Sequence, residues 1–225
     1  MNLAKLSALA LVVFSLFVSH AAAQVGKESG LWEFVQCDPC VESALVVVRG
    51  NSDGGTGTGC IVAANDGPAI LTAAHIAEGN QSFTVSFHDG TAANNATLRG
   101  LDREADVAVL NCKTPTGCSV LEVAEEVKEG DEVNVCGFGG GGPLRCFKAK
   151  VAGVAEKSQV LFSWAIPGDS GGPVVNAAGK VCGVVSGGSV WCKQKVKTVY
   201  GHATSITAPV RAGTCSAVRR LLGKR

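Results

Sequence analysis

The sequence predicts an all-β protein made of two small antiparallel six-stranded barrels and a short C-terminal helix. Three observations predict it. Short Val- and Ile-rich runs recur along the chain with turn residues between them. Glycine is abundant, at 29 of 225 residues, while aromatics make up only 5%, a composition of turns and short strands. The runs come about six at a time, twice over, as two small antiparallel barrels require. At 46% hydrophobic, the chain can bury a substantial core.

The first set of strands is expected at "ALVVV" (44–48), "GCIVA" (59–63), "AILT" (69–72), "FTVSF" (83–87), "ATLRGL" (96–101) and "VAVL" (107–110). The second is expected at "EVNVC" (132–136), "CFKAKVAGV" (146–154), "QVLFS" (159–163), "PVVN" (173–176), "KVCGVVS" (180–186) and "VYGHATSI" (199–206). Between the sets, the charged "EVAEEVKEGDE" (122–132) reads as a link. "SAVRRLLG", after Cys215, reads as the helix. The chain therefore divides into residues 1–23, residues 24–125 with an N-terminal segment and the first barrel, and residues 126–225 with the second barrel and helix.

Residues 1–23 read as a secretory signal peptide. Lys5 supplies the positive start, "LSALALVVFSLFV" (6–18) the short apolar run, and Ala21–Ala23 the small residues before cleavage ahead of Gln24. The run is short for a membrane span, so no stable anchor is expected after cleavage, and the location is secreted or periplasmic. Ten Cys in an exported chain imply disulfides. Three pairs look local, each closing a turn-rich segment: Cys112 with Cys118, Cys136 with Cys146, and Cys182 with Cys192. The pairing of Cys37, Cys40, Cys60 and Cys215 stays open. "CDPC" (37–40) lacks a βαβ surrounding and reads as structural rather than redox-active. A net charge of +1 gives no electrostatic basis for a nucleic-acid partner.

The chemistry centres on "WAIPGDSGGPVV" (164–175), where three glycines and two prolines surround one Asp–Ser pair. A serine nucleophile needs a base, a group to orient that base, and backbone N–H groups aimed at the developing oxyanion. Gly168 and Ser170 are positioned in the sequence to supply those N–H groups. Gly171 and Gly172 read as leaving room beside the nucleophile. His75 follows an apolar strand in "ILTAAHIAEG", among small residues that leave the ring open. Asp106 stands at the mouth of "VAVL", and Asp102 is a polar neighbour without an apolar run behind it. His88 lies in a hairpin turn and reads as solvated.

"TAAH", "DVAVL" and "GDSGGP", in the order His, Asp, Ser, resemble the trypsin-like (chymotrypsin-fold) serine peptidases, from about residue 44 to 206. The resemblance implies two six-stranded barrels of the chymotrypsin type with the site between them. His75 would be general base and then acid, Asp106 its orienter, Ser170 the nucleophile, and Gly168 and Ser170 the oxyanion hole. The activity implied is endopeptidase cleavage of a protein or peptide through an acyl-enzyme, by a monomer, with no cofactor and no metal. By the same resemblance Trp164, six before the nucleophile, lines the primary pocket, Ser186, Gly187 and Gly188 pair with substrate backbone, and Gly201 and His202 stand on the pocket's far wall.

The sequence departs from the trypsin group in three ways. It has no "IVGG"-like activation site, so Asp169 lacks its usual partner. No Cys follows His75. "GTGTGCIV" and the short spacing from His75 to Asp106 look more like compact bacterial relatives and periplasmic quality-control proteases, without a PDZ-like extension. An enzyme needing no zymogen cut is expected. Rival readings are a catalytically silent binding protein of the same fold and a disulfide-stabilised structural protein. "GFGGGG" (137–142) lacks the Lys-Ser/Thr of a phosphate loop, and "CDPC" lacks a second close Cys or His pair in sequence for zinc.

Overall fold

The computed structural model describes residues 33–156, 158–188, 192–198 and 201–224. The expected signal segment and its cleavage point at Gln24 lie outside them. Six strands form a closed antiparallel barrel in the order β2-β3-β4-β7-β6-β5. They are β2 (Leu45–Gly50), β3 (Thr56–Ala64), β4 (Gly67–Thr72), β5 (Ser82–Phe87), β6 (Ala92–Asp102) and β7 (Val107–Asn111). β-Branched side chains suit these pleated, half-buried surfaces. Val46, Val48, Ile61, Ile70, Phe83 and Val85 fill the interior at 1% exposure or less. β7 buries four residues in succession, Val107 to Leu110, as a strand covered on both faces must.

The second sheet holds β8 (Glu132–Gly137), β9 (Arg145–Val154), β10 (Ser158–Trp164), β11 (Pro173–Asn176), β12 (Val181–Gly188), β13 (Cys192–Thr198) and β14 (Gly201–Thr214), together with β1 (Glu33–Val35). Pairing of β8 with β9 returns the order β9-β10-β14-β12-β11-β8 to its start, so six strands form a ring. β1 adds to β9 and β13 to β14 at the outside. All twelve expected strands are present, and β1 and β13 are additional. The N-terminal strand β1, grouped by sequence with the first barrel, joins the second sheet.

Among the described residues, three α-helices, α1 (Pro39–Ala44), α2 (Ala74–Ala77) and α3 (Cys215–Leu221), and one 3-10 turn at Gly139–Gly141 accompany the sheets. Asp38 caps α1, its Oδ1 accepting from Cys40 N at 2.8 Å. Thr214 caps α3, the helix expected after Cys215. Val218 and Leu222 from this end of the chain pack into the core that includes the first barrel. A buried glycine sets the distance between the two sheets. A Cβ on Gly213 of β14 would stand 2.3 Å from Val107 Cγ2 and 2.7 Å from Ala105 O, so β14 approaches the strand behind Asp106 because that position has no side chain.

Of the expected local cysteine pairs, Cys136 and Cys146 are bonded, from directly paired positions on β8 and β9. The other two pairs require correction. Cys112 and Cys118 are separate thiols; Cys112 Sγ is directed at Lys113 O, 3.6 Å away. Cys182 is a buried thiol whose neighbour is Cys215, with Cys215 Sγ donating to Cys182 O at 3.0 Å. Strand register explains why Cys192 is not its partner. β12 and β13 lie on opposite edges of β14, where Gly183 pairs with Thr214 but Cys192 pairs with Thr207. Seven residues along a strand is about 23 Å, far beyond the Cα separation a disulfide spans.

Candidate active site

His75 sits in α2 between the buried alanines 74 and 77 and keeps its side chain 43% exposed. Asp106 sits just before β7 at φ 55°, the one described non-glycine residue with positive φ. That left-handed backbone is uncommon for a residue with a side chain and is a form of strain found at functional sites. It turns the carboxylate towards α2. Oδ1 accepts from the His75 N–H at 2.9 Å, and Oδ2 lies 2.8 Å from His75 Nδ1. The ring is thereby held with Nδ1–H towards the acid, and Nε2 is left as the accepting nitrogen.

Ser186 was expected to bind substrate backbone. In the structure its Oγ donates to Asp106 Oδ2 at 2.5 Å, giving it a role that the sequence reading missed. Burial is the largest influence on the Asp106 carboxyl and pushes its pKa up. Hydrogen bonds from the His75 ring, Ser186 and the His75 N–H together outweigh it and hold the acid below the usual range. The hydrogen bond to Asp106 raises His75 above 6.5, with burial opposing and the Asp106 and Glu78 charges adding. Asp102 is more than a polar neighbour. Its Oδ1 accepts from Glu104 N and Ala105 N, both at 3.0 Å, and its Oδ2 accepts from Arg220 of α3. It shapes the turn that delivers Asp106.

Ser170 lies against the same edge of the first barrel. Its carbonyl accepts from Thr58 N at 2.8 Å. A Cβ on the next residue, Gly171, would meet Thr58 O at 2.1 Å, Thr72 Oγ1 at 2.3 Å and Ala73 N at 2.9 Å. A Cβ on Gly172 would stand 2.2 Å from Cys136 O. These two glycines therefore serve close packing between backbones, where the sequence suggested that they leave room beside the nucleophile. Gly171 also donates to Val185 O at 2.7 Å, one residue before Ser186, so β12 ties the serine loop to the acid. No hydrogen bond joins Ser170 Oγ to the His75 ring, as is common before substrate binds.

Gly168 has φ 102°, a conformation open to glycine. Among the described residues, neither the Gly168 N–H nor the Ser170 N–H has an acceptor, while the Asp169 N–H between them bonds to Ile166 O. Three further groups hold this loop. Thr58 Oγ1, fully buried on β3, donates to Gly168 O at 2.7 Å and accepts from Phe138 N at 3.0 Å. Asp169, 2% exposed, accepts from Gly139 N at 2.7 Å and Ile166 N at 2.9 Å. Arg145 stands 3.8 Å from the same carboxylate and donates to Gly139 O at 2.7 Å. Burial pushes the Asp169 carboxyl up, against Ile166 N–H, Arg145 and Gly139 N–H. The partner absent from the sequence reading of Asp169 is this arginine together with two backbone donors.

Gly187 and Gly188 continue β12 opposite Arg211 and Val210 of β14. β11 pairs with β12 only as far as Val184, so the other edge of 186–188 carries no strand among the described residues. Trp164 ends β10 opposite Thr207; its side chain, like that of His202, lies outside the described part. Gly201 and His202 pair with Thr198 and Lys197 at the tip of the β13–β14 hairpin. Five or six residues, about 17–20 Å along a strand, separate them from Thr207, the position opposite Trp164.

A family model described as a trypsin-like peptidase domain matches residues 57–184. The serine protease Rv3671c of Mycobacterium tuberculosis is 28% identical over 181 residues, covering 71% of this chain and 44% of that protein. The serine protease Do-like HtrA of Bacillus subtilis is 30% identical over 154 residues, covering 60% of this chain and 34% of that protein. The chain thus spans less than half the length of these relatives. The crystal structure of the active form of the M. tuberculosis protease matches with a TM-score of 0.63 at 25% identity, covering 83% of both chains. Its inactive form matches with a TM-score of 0.61 at 24% identity, covering 82% of this chain and 91% of that one.

Proposed function

Because the chain belongs to the trypsin-like peptidase domain family, we propose that it is a serine endopeptidase using Ser170 as nucleophile, His75 as general base and then acid, and Asp106 as orienter. The observation that carries this reading is the pair of N–H groups at Gly168 and Ser170 that have no acceptor among the described residues, on a loop packed against Ala73 before α2, whose His75 is held by a half-buried carboxylate. As substrate binds, the His75 ring takes the Ser170 Oγ proton on Nε2 while Oγ attacks the scissile carbonyl. The imidazolium is stabilised by Asp106, which remains ionised, and the ring returns the proton to the leaving amine. The two N–H groups receive the oxyanion, the interaction of greatest energetic weight in such sites. Water then repeats the sequence on the acyl-enzyme.

The open edge at 186–188 suits an extended peptide adding as a strand, with main-chain hydrogen bonds to Gly187 and Gly188. The proposal extends to export through residues 1–23, division near residue 125, and action as a monomer in a secreted or periplasmic location. No helix among the described residues is long and apolar enough to cross a membrane. Cleavage of a peptide library by the purified chain tests the activity. Matched products from wild type and none from Ser170→Ala support it; equal cleavage by both sinks it.

A further inference from the structure

The "CDPC" segment is unused by the site above, yet the fold brings it to the one disulfide among the described residues. β1 pairs Val35 with Cys146, which carries Cys37, two residues on, to the bridge. The Sγ atoms of Cys37, Cys136 and Cys146 all lie within 4.8 Å of one another. They line one cavity of about 440 Å³, together with Cys40. Cys37 and Cys40 are both free thiols. A thiol held this close to a disulfide has a partner for exchange without any movement of domains.

The geometry points to a thiol–disulfide exchange site, in which Cys37 attacks the Cys136–Cys146 bridge and takes Cys146 as its new partner. The Cys37 thiol loses its proton and its sulfur bonds to Cys146 Sγ. The Cys136–Cys146 bond breaks with its electron pair on Cys136, and Cys136 takes up a proton. One S–S bond forms as another breaks, so no oxidant or reductant is consumed.

The exchange bears on the serine loop because of where the bridge lies. It closes the base of the hairpin 137–144, whose Gly139 N–H and following Arg145 hold Asp169, and whose Phe138 N–H meets Thr58. Moving the bond from β8–β9 to the N-terminal segment unties that base. The effect on catalysis rests on the peptidase reading; the exchange itself does not.

Burial, then the charges of Glu42 and Asp38, push the Cys37 thiol up to about 11. Glu122 and Lys180 stand across the cavity, paired with each other at 2.7 Å. The thiolate is therefore scarce at neutral pH, which keeps the native bridge in place, and exchange should quicken about tenfold per pH unit between pH 8 and 10.

The test is a disulfide map of the full chain, incubated at pH 8 and pH 9 without oxidant or reductant, quenched in acid and alkylated. A Cys37–Cys146 peptide should accumulate with an equal rise in alkylated Cys136, about tenfold faster at pH 9. It should be absent from Cys37→Ser and present in Cys40→Ser. Hydrogen exchange of 137–145 should rise in step. If Cys37→Ser does not fold, the wild-type map decides alone. Three results would overturn the proposal: Cys136–Cys146 unchanged with Cys37 fully alkylated; a Cys37–Cys40 bridge coexisting with Cys136–Cys146; or a purified chain holding one zinc ion with Cys136 and Cys146 reduced. Because the map reads bonds, a chain without peptidase activity can still pass it.

Discussion

Replacing Thr58 with valine keeps the shape of a fully buried side chain and removes one oxygen. That oxygen donates to Gly168 O at 2.7 Å and accepts from Phe138 N at 3.0 Å. Thr58→Val loses both bonds and leaves a carbonyl and an N–H without their partners, a combined cost of about 2–4 kcal/mol. For a chain of this size the midpoint of thermal unfolding should fall by roughly 5–15 °C. The functional effect should exceed general loosening, because Gly168 O belongs to the residue whose N–H is assigned to the oxyanion. Complete loss of one such donor costs about 100- to 1000-fold in kcat. A tilted but present Gly168 should cost about 10- to 100-fold, with KM within about threefold. Thr58→Ser retains the oxygen and should restore most of kcat. The assay is steady-state kinetics on one peptide substrate below the unfolding range of each variant. A Thr58→Val enzyme with wild-type kcat and only a lower melting point would refute the idea that Thr58 orders the loop.

Further outcomes follow from the same geometry. Activity should rise with pH through a midpoint above 6.5, because Asp106 stabilises protonated His75 and only the neutral ring can accept the serine proton. Asp106→Asn should lower that midpoint and reduce kcat by about 10⁴-fold, as pH–rate profiles will show. Asp102→Asn retains an acceptor for Glu104 N and Ala105 N and loses the charge that pairs with half-exposed Arg220. Kinetics should be near wild type, with a stability loss of about 1 kcal/mol or less by denaturant titration. Arg145→Met should cost about 1–3 kcal/mol, less than breaking a fully buried pair, since Arg145 is partly exposed and two N–H groups still hold Asp169. Because Asp169 is held from within the second sheet, acetylating the chain or trimming it before Glu33, which leaves β1 on β9, should leave kcat unchanged; activity that appears only after an internal cut would contradict this.

The strands were legible because Val- and Ile-rich runs bounded by turns carry their period on the surface of the sequence. β1 has three residues, and β13 reads "CKQKVKT"; neither carries an apolar run for pattern to detect, and each is placed by pairing with a single neighbour, β9 or β14. His75, Asp106 and Ser170, the proposed catalytic residues, stand out in the sequence through motif order. Thr58 was not, since a threonine in a strand looks like any β-former until its partner 110 residues away is known. Arg145 was hidden similarly, 24 residues before the acid it faces. The glycines after Ser170 read as room beside the nucleophile because local sequence cannot say which backbone approaches them. The cysteines fail for a related reason. Short spacing predicts a bridge only where the two residues pair across a hairpin, as Cys136 and Cys146 do, and not where a strand lies between them, as with Cys182 and Cys192.

The central claim is that Ser170 is an activated nucleophile served by His75, and irreversible labelling with a peptidyl phosphonate followed by peptide mass spectrometry tests it most directly. The structure predicts one label per chain, on Ser170, at a rate that rises with pH through the His75 titration and falls by orders of magnitude in His75→Ala. A folded chain that takes no label, or one labelled equally in Ser170→Ala, would contradict it.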